Sequence, residues 1–242
     1  MRNYKDEFQS RVNFIKEILE DTGAKGIVFG ASGGKDSALV GILCRAACEN
    51  TLGVMMPCSS PINYTNDISD AEELLQMFDI QFLKVDLQET YLQLCGKAGE
   101  VCELTKQAAS NIAPRLRMTT LYLLGQSRDS LVAGTGNRSE RYMGYFTKWG
   151  DGVSDFNPIA DLTVTEIYAF LEYLGAPEFL MKKPPSAGLY EGQTDEAELG
   201  ISYVEIDNYL LNGKISHDSW KIIQKAHNVT RHKRDPIINY GL

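Results

Sequence analysis

The sequence predicts an α/β fold, a doubly wound parallel sheet with flanking helices. Short apolar runs rich in β-branched residues alternate with segments whose apolar residues recur at helical spacing. A glycine-rich loop, Gly30-Ala31-Ser32-Gly33-Gly34-Lys35-Asp36-Ser37, joins the first apolar run to a helical segment. Strands that alternate with helices form parallel sheets, and these bind ligands outside the carboxyl ends of their strands.

The individual elements follow from the same patterns. Strands are predicted over 25–29, 51–57, 80–87 and 129–135. Helices are predicted over 6–20, 38–47, 66–78, 90–95, 104–126, 163–174, 203–211 and 217–226, with Pro114 as a break. The stretch 136–152 is dense in glycine, charge and aromatic residues, which indicates an irregular, substrate-facing loop. Residues 182–186 are predicted as a loop, and the acidic stretch 188–200 as a mobile lid.

The glycine-rich loop has the chemistry of a phosphate site. Its three glycines allow a tight turn, and the helix that follows directs free N–H groups and a favourable dipole toward an anion. It is not a Walker A loop, because Gly34-Lys35 is followed by Asp36 rather than Ser or Thr. A carboxylate beside phosphate is unfavourable unless a cation lies between them, so Asp36 predicts a Mg²⁺ site. The alternative is a glycine-rich turn with no ligand.

Length and composition limit the class of protein. The 242 residues, 43% hydrophobic, are enough for a single domain spanning 1–242 with a sizeable core. A net charge of −8 argues against a general nucleic-acid binder, and no apolar run is long enough to span a membrane. The N-terminus lacks the apolar core of a signal peptide. Five cysteines without framework or zinc spacing favour a reduced, cytoplasmic protein.

Six motifs together carry a resemblance to a known family. The Ser-Gly-Gly-x-Asp-Ser pattern of the loop resembles the N-type ATP pyrophosphatases, whose fold is called adenine nucleotide alpha hydrolase-like and is Rossmann-like. Five later stretches occur in the order and at the spacing of the ammonia-dependent NAD synthetases: Asn111–Met118, Gly134–Glu140, Phe146–Gly152, Asp195–Gly200 and His232-Lys233-Arg234. The resemblance spans roughly residues 25 to 235.

This resemblance implies a two-step reaction. The carboxylate of deamido-NAD attacks the α-phosphate of ATP and gives an adenylate and pyrophosphate. Ammonia then attacks the activated acyl group and releases NAD and AMP. Negative charge develops on the phosphate oxygens, so Lys35, backbone N–H groups and Mg²⁺ near Asp36 are expected to neutralise it. Asp155 or Asp151 is the candidate to accept a proton from ammonium.

The resemblance also implies roles for individual residues. The loop from Gly30 to Ser37 matches the segment that binds the ATP phosphates, and Thr135 and Ser186 match further ATP contacts. Asp36 and Glu140 match the Mg²⁺ ligands. The deamido-NAD contacts are matched by Arg115, Lys148, Asp155, His232 and Lys233. Without the resemblance, each of these charged residues has a plain alternative as a solvated or structural side chain.

The chain departs from the family at two positions. Val164 stands where many relatives have a lysine, so we expect its phosphate contact to be missing or to come from Lys182 or Lys183. Pro114 stands beside Arg115, where relatives usually have alanine, which is expected to alter that helix. No cysteine lies in a glutaminase context, so free ammonia is the expected nitrogen source. Family members are homodimers, and we expect one here.

Three rival functions remain open on the sequence. The first is another AMP-forming N-type ATP pyrophosphatase, either one with a different acid substrate or a tRNA-modifying enzyme. The acidic charge balance disfavours the tRNA-modifying enzyme. The second is a non-catalytic adenine-nucleotide-binding module, which would not require Asp36 and Glu140 together. The third is a kinase-like P-loop enzyme, which Asp36 disfavours and which would release ADP rather than AMP.

Overall fold

The computed structural model describes residues 2–59, 66–183 and 194–241. Four strands form one sheet, and all of them were predicted: β1 (Gly26–Gly30), β2 (Thr51–Met55), β3 (Gln81–Lys84) and β4 (Ser130–Ala133). The strands are parallel and lie in the order β3-β2-β1-β4. The chain therefore builds outward from β1 to β3 and then crosses to the other side of β1, which makes a topological switch point between β1 and β4.

Helices follow the strands in the alternation expected of this class. In the first half of the chain they are α1 (Tyr4–Thr22), α2 (Lys35–Ala47), α3 (Asn66–Met77), α4 (Gln88–Gly99), α5 (Lys106–Ser110) and α6 (Ile112–Ser127). In the second half they are α7 (Arg138–Met143), α8 (Val164–Tyr173), α9 (Glu178–Lys182), α10 (Asp195–Leu199), α11 (Tyr203–Asn212) and α12 (His217–Val229). A short 3₁₀ helix, Arg231–Lys233, follows α12. No described helix is long and apolar enough to cross a membrane.

The sheet is covered on both faces, as a doubly wound fold requires. Successive side chains of a strand point to opposite faces, and β1 follows this rule. Ile27 and Phe29 pack into a core formed with α1, α2, α3 and α8, whereas Val28 packs into a second core formed with α4 and α6. All three residues are fully buried. Burial on both faces explains why the strand is an uninterrupted apolar run rather than an alternating one.

A third apolar cluster holds the C-terminal helices together. Met143 of α7, Val164 of α8, Tyr203 and Ile206 of α11, and Ile223 of α12 are buried against one another. The predicted helices over 203–211 and 217–226 are confirmed as α11 and α12, which begin at the predicted residues and extend one and three residues further. This cluster lies beside the carboxyl edge of the sheet because α7 follows β4 directly and α11 packs on both α7 and α8.

Several predicted boundaries are wrong. The segment 104–126 breaks at Asn111, not at Pro114, which is the third residue of α6. A proline is tolerated there because the first N–H groups of a helix have no intrahelical partner. Residues 138–143 form a helix instead of an irregular loop, and Lys182 ends a helix rather than beginning a loop. Of the predicted lid, residues 195–199 are helical, and 188–193 lie outside the described residues.

Candidate active site

A large cleft lined by described residues opens at the carboxyl edge of the sheet. Its volume is about 1240 Å³, above the roughly 300–1,000 Å³ that is typical of a pocket for one small ligand. The loop of residues 30–37, here called the phosphate loop, lines one part of it, together with residues at the ends of β2 and β4. The cleft therefore lies at the switch point between β1 and β4, where this fold class binds its ligands.

The phosphate loop has the expected strand-to-helix geometry. Gly33 has a φ of +72°, and a Cβ atom at that position would lie 2.4 Å from the Asp67 carbonyl oxygen. Only glycine fits such a position without strain. Gly34 is the N-cap residue of α2 and has no side chain to occupy the first helical turn. The N–H groups of that turn are therefore available to an anionic ligand.

Two serines brace the loop from inside. The Ser37 hydroxyl donates to the Gly34 carbonyl oxygen at 3.0 Å and accepts from the Ser32 N–H at 3.3 Å. The two hydroxyl oxygens, Oγ of Ser32 and Oγ of Ser37, lie 3.0 Å apart. These bonds hold the loop in a fixed shape before any ligand arrives, which lowers the entropy cost of binding.

Lys35 is held against Asp36 and does not extend freely into the cleft. Its ammonium nitrogen lies 2.7 Å from Asp36 Oδ2, and the residue is buried. The same nitrogen lies 5.9 Å from the Tyr168 ring centroid and 5.8 Å from that of Tyr203. Burial lowers the pKa of Lys35, but the charges of Asp36 and Glu140 outweigh this effect and raise it overall. Lys35 is therefore a fixed cation beside the loop.

The two predicted Mg²⁺ ligands are joined through one residue that the sequence analysis did not single out. Asn137 is fully buried and donates its side-chain amide to Asp36 Oδ1 at 3.0 Å. Its side-chain oxygen accepts from the Glu140 N–H at 2.9 Å, and Glu140 Oε2 accepts from the Asn137 N–H at 3.2 Å. This is a capping box at the start of α7. The spacing Asn-x-x-Glu was the sequence signal that could have identified it.

The environment of Glu140 fits a divalent cation. Burial and then the charge of Asp36 raise the pKa of Glu140 well above its usual value, although Lys35 opposes this. A bound cation between two carboxylates would remove this repulsion. No group of three or more His, Cys, Asp or Glu in the described part of the chain is arranged to hold a metal. Two carboxylates plus substrate phosphates are the usual donor set for Mg²⁺, so the residues present fit it.

A second group of side chains, here called the basic wall, lines another part of the cleft. It consists of Arg115, Lys148, His232 and Lys233. These residues come from α6, the segment after α7, and the 3₁₀ helix, and direct contacts connect them. Arg115 Nη2 donates to the Lys148 carbonyl oxygen at 3.3 Å, and Lys148 Nζ donates to the His232 carbonyl oxygen.

Lys233 is the residue after His232 on the 3₁₀ helix and is also bonded to the segment after α7. Its ammonium donates to the carbonyl oxygens of Gly144 and Phe146, each at 2.7 Å. Burial lowers the pKa of Lys233, although the charge of Asp151 partly offsets this. The tail that looked like a solvated basic run is therefore anchored in the cleft, and the four predicted substrate contacts on this wall lie together.

The remaining predicted residues differ in how they face the cleft. Thr135 lines it just after β4. Asp151, in the segment after α7, also lines it, and its carboxylate accepts from the Thr147 N–H at 2.9 Å. Asp155 is not among the described residues that line the cleft. Its carboxylate accepts from the Val132 N–H at 2.7 Å and from the Tyr122 hydroxyl at 3.2 Å. Ser186 lies outside the described residues.

Helix α10 closes one side of the cleft. Asp195 is buried and accepts from the Tyr203 hydroxyl at 3.0 Å. Glu198 accepts from the Tyr145 hydroxyl at 2.6 Å, and both acidic residues line the cleft. This described part of the predicted lid is therefore bonded to the wall of the site.

These features define a nucleotide-binding α/β protein whose phosphate loop faces a second anion-binding surface across one cleft. The chain belongs to the NAD synthase family, whose model matches residues 7–239. It is 43% identical over 236 residues to the NH(3)-dependent NAD(+) synthetase of Carboxydothermus hydrogenoformans, with 96% of each chain covered. The chain is accordingly an enzyme with ATP as co-substrate, and the reaction of its family is the ATP-dependent amidation of deamido-NAD to NAD.

Solved structures support the same fold. An NMN synthetase from Francisella tularensis matches with a TM-score of 0.94 and 34% identity, and 100% of each chain is covered. An NH3-dependent NAD synthetase from Campylobacter jejuni matches with a TM-score of 0.81 and 28% identity, covering 99% of this chain and 100% of the other. The predicted adenine nucleotide alpha hydrolase-like fold is confirmed.

Proposed function

We propose that this chain converts deamido-NAD to NAD with free ammonia, and that the described cleft is where the reaction takes place. The observation that carries the proposal is that one cleft of about 1240 Å³ holds both the phosphate loop and the basic wall. ATP and a dinucleotide acid each carry a diphosphate or triphosphate group. Two separate cationic or N–H-rich surfaces in one cavity match that pair of substrates.

Residues of the phosphate loop and their neighbours bind ATP in this proposal. The loop from Gly30 to Ser37 holds the phosphates with backbone N–H groups and serine hydroxyls, and Thr135 contacts the nucleotide from the end of β4. Asp36 and Glu140 would hold Mg²⁺, which when bound neutralises charge on the phosphate oxygens. Asn137 orients both carboxylates. For Ser186, the expected contact with ATP is supported by the family resemblance alone.

The basic wall binds the acid substrate. Arg115, Lys148, His232 and Lys233 offer the charge that a dinucleotide diphosphate needs. The substrate carboxylate then attacks the α-phosphorus of ATP, forming an acyl–phosphate bond as the bond to the pyrophosphate oxygen breaks. No enzyme nucleophile is required, so the work of the residues is positioning and charge stabilisation. Lys35 contributes a fixed positive charge beside the loop.

Ammonia completes the reaction by attacking the acyl carbon and displacing AMP. Ammonium must lose a proton first, and a carboxylate near the acyl group is the natural acceptor. Asp151 and Asp155 are the candidates. Asp151 lines the cleft, whereas both carboxylate oxygens of Asp155 already accept hydrogen bonds. We therefore assign proton acceptance to Asp151, and to Asp155 the support of the residues behind the cleft.

Product analysis tests this function. We expect AMP, pyrophosphate and NAD to form only when ATP, Mg²⁺, deamido-NAD and ammonium are all present. Equal activity with glutamine alone would contradict the assignment of ammonia as nitrogen donor. ADP as the product, or ATP binding without any turnover, would favour a kinase-like enzyme or a non-catalytic nucleotide-binding module.

A mononucleotide acid is a second candidate substrate. The solved structure named as an NMN synthetase matches this chain at a TM-score of 0.94, against 0.81 for the Campylobacter NAD synthetase. Deamido-NMN carries the same carboxylate without the adenylate half, so its activation would be chemically identical. A higher kcat/KM for deamido-NMN than for deamido-NAD would identify it as the substrate, whereas the reverse order supports the first proposal.

Assembly and location complete the proposal. Helices α4 and α6 and the segment after α4 expose Leu92, Leu94, Val101 and Leu123. These exposed apolar side chains are candidates for the interface of the homodimer that the family resemblance implies, and light scattering would detect the dimer. The basic wall and the phosphate loop share one cleft, which supports a single domain over 1–242. The free thiols and an ATP-consuming reaction favour the cytoplasm.

A further inference from the structure

Lys183 lies beside the phosphate loop, although it is 150 residues away from it in the chain. Its ammonium donates to the Gly33 carbonyl oxygen at 3.3 Å, to Asp67 Oδ1 at 2.8 Å and to Asp70 Oδ2 at 2.6 Å. The residue lines the cleft, and its side chain is 26% exposed. One cation thus connects the phosphate loop to the first turns of α3.

The adjacent lysine has an entirely different position. Lys182 forms an ion pair with Glu178 at 2.7 Å, one turn earlier on α9, and its side chain is 73% exposed. It does not line the cleft. Of the two lysines that could supply an extra cation, only Lys183 can reach a ligand of the phosphate loop. Val164 is buried in the third apolar cluster and offers no charge there.

The phosphate loop needs a further positive charge to stabilise the departing pyrophosphate, and Lys183 can supply it. The ammonium of Lys35 is already held by Asp36, and the basic wall binds the other substrate in the proposed function. Departure of pyrophosphate transfers an electron pair to the bridging oxygen, and this new charge needs a donor nearby. The Gly33 contact is the longest of the three bonds of Lys183 and has a neutral acceptor. A phosphate oxygen is the stronger acceptor because its hydrogen bond is charge-assisted.

We propose that Lys183 binds the pyrophosphate portion of ATP, exchanging its Gly33 contact for a phosphate oxygen while Asp67 and Asp70 keep the ammonium beside the loop. The flexible four-carbon stem of lysine permits this short movement. No proton is transferred, since the ammonium remains charged throughout. The inference rests on the proposed function, because it assumes that the loop binds ATP.

The experiment measures binding without turnover. Isothermal titration calorimetry of the full chain with pyrophosphate and Mg²⁺ gives a dissociation constant for each variant. We expect Lys183→Gln to weaken binding about 10- to 100-fold, the range typical of one hydrogen bond to a charged group. Lys183→Arg should remain within a few-fold of the unchanged protein. The matched control, Lys182→Gln, removes a charge one residue away and should leave binding unchanged.

If Lys183 had only a structural role, the variants would bind pyrophosphate differently. If Lys183 only braces the loop, removing its anchors should harm binding as much as removing the lysine. Phosphate binding by Lys183 predicts instead that Asp67→Asn and Asp70→Asn each bind pyrophosphate as well as or better than the unchanged protein. The asparagine oxygen still accepts from the ammonium and keeps it beside the loop, while one negative charge near the phosphates is removed. Steady-state assays should also give a raised KM for ATP in Lys183→Gln with the KM for deamido-NAD unchanged.

The outcomes separate the inference from the function on which it rests. Equal pyrophosphate binding by the unchanged protein and Lys183→Gln would overturn the inference alone. Equal losses in Lys183→Gln and in the two aspartate variants would also overturn it, in favour of loop bracing. No binding of pyrophosphate or ATP by the unchanged protein would overturn the proposed function and the inference together.

Discussion

Asn137 donates its side-chain amide to Asp36 across 3.0 Å, and the two residues are 101 positions apart in the chain. Asp36 belongs to the first turn of α2, and Asn137 caps α7. This bond joins the first and fourth strand-to-helix connections of the sheet at the point where nucleotide is expected to bind. One buried amide therefore orients a candidate metal ligand and begins the helix that carries the other one, Glu140.

Replacing Asn137 by Asp should separate these two tasks. An aspartate still caps α7, so the free energy of unfolding should change by less than about 1 kcal/mol from capping. It cannot donate to Asp36, and it adds a third carboxylate beside Asp36 and Glu140. We therefore expect kcat to fall at least about 10-fold and the Mg²⁺ concentration for half-maximal activity to change. Metal titrations of activity measure this effect.

A distant capping box is the control for Asn137. Ser202 caps α11 through its hydroxyl and is bonded to Glu205 in the same way. Ser202→Ala should cost about 1 kcal/mol of stability and leave kcat and the Mg²⁺ dependence unchanged. Unchanged Mg²⁺ dependence and activity in Asn137→Asp would contradict the assigned role of Asn137.

Gly33→Ala should damage ATP binding. The backbone at Gly33 has a φ of +72°, and the added methyl group would lie 2.4 Å from the Asp67 carbonyl oxygen, so the loop must move. We expect the KM for ATP to rise more than about 10-fold, because the loop N–H groups lose their alignment. Steady-state kinetics with varied ATP measure the change.

Gly23 provides the matched control for the glycine substitution. It has nearly the same φ, +70°, but a Cβ atom there would meet nothing within 4 Å. Gly23→Ala should therefore cost about 1 kcal/mol of stability from backbone strain alone, with no effect on ATP kinetics. Equal ATP kinetics in both variants would mean that the Gly33 contact is unimportant for the loop.

Lys148→Gln should act on the acid substrate and not on ATP. Lys148 lies on the basic wall, with its ammonium 5.4 Å from the Trp149 ring centroid and bonded to the His232 carbonyl oxygen. Loss of one charge-assisted contact should raise the KM for deamido-NAD about 10-fold or more with little change in the KM for ATP. Lys97→Gln, at an exposed position on α4, is the control. A raised KM for ATP alone would contradict the assignment of the basic wall.

Asp161 should stabilise the fold in a pH-dependent manner. Its carboxylate binds the buried Arg11 guanidinium through contacts of 2.7 Å and 2.9 Å. Burial acts to raise the pKa of Asp161, but the hydrogen bond and charge of Arg11 outweigh it and lower that pKa. The folded state thus binds fewer protons than the unfolded chain, so this stabilisation is present above the unfolded pKa of about 3.9 and is lost as the pH falls through the lowered folded pKa.

Asp161→Asn tests this relationship through unfolding in urea between pH 3 and 7. Since Asp161 is half-exposed and solvent screens it, we expect a loss of only about 1 kcal/mol at pH 7 that shrinks toward zero in acid. Asp79 pairs with Arg45 at the surface, and its side chain is 91% exposed, so Asp79→Asn should change stability little at any pH. A loss that is the same at every pH would show that packing, not charge, explains the Asp161 result.

Local patterns were sufficient to predict much of this protein. The four strands and the phosphate loop were predictable because strand, turn and helix-start preferences depend on neighbouring residues. Helix α7 was missed because six residues are too few to display an apolar period, although the Asn137–Glu140 capping box marks its start. The break at Asn111 was misplaced because proline restrains only the residues around it and is tolerated in a first turn.

The sequence by itself determined the fold class, the phosphate loop with its acidic residue, and the family, because each depends on residue types at fixed local spacing. Only the tertiary structure decided that Lys183 rather than Lys182 reaches the loop, that Lys35 is held by Asp36, and that Asp151 rather than Asp155 faces the cleft. Adjacent residues on a helix or loop point in different directions, and which direction meets the cleft depends on how distant elements pack. Packing depends on contacts between residues far apart in the chain, so the local spacing of residue types does not predict which side chains reach the cleft.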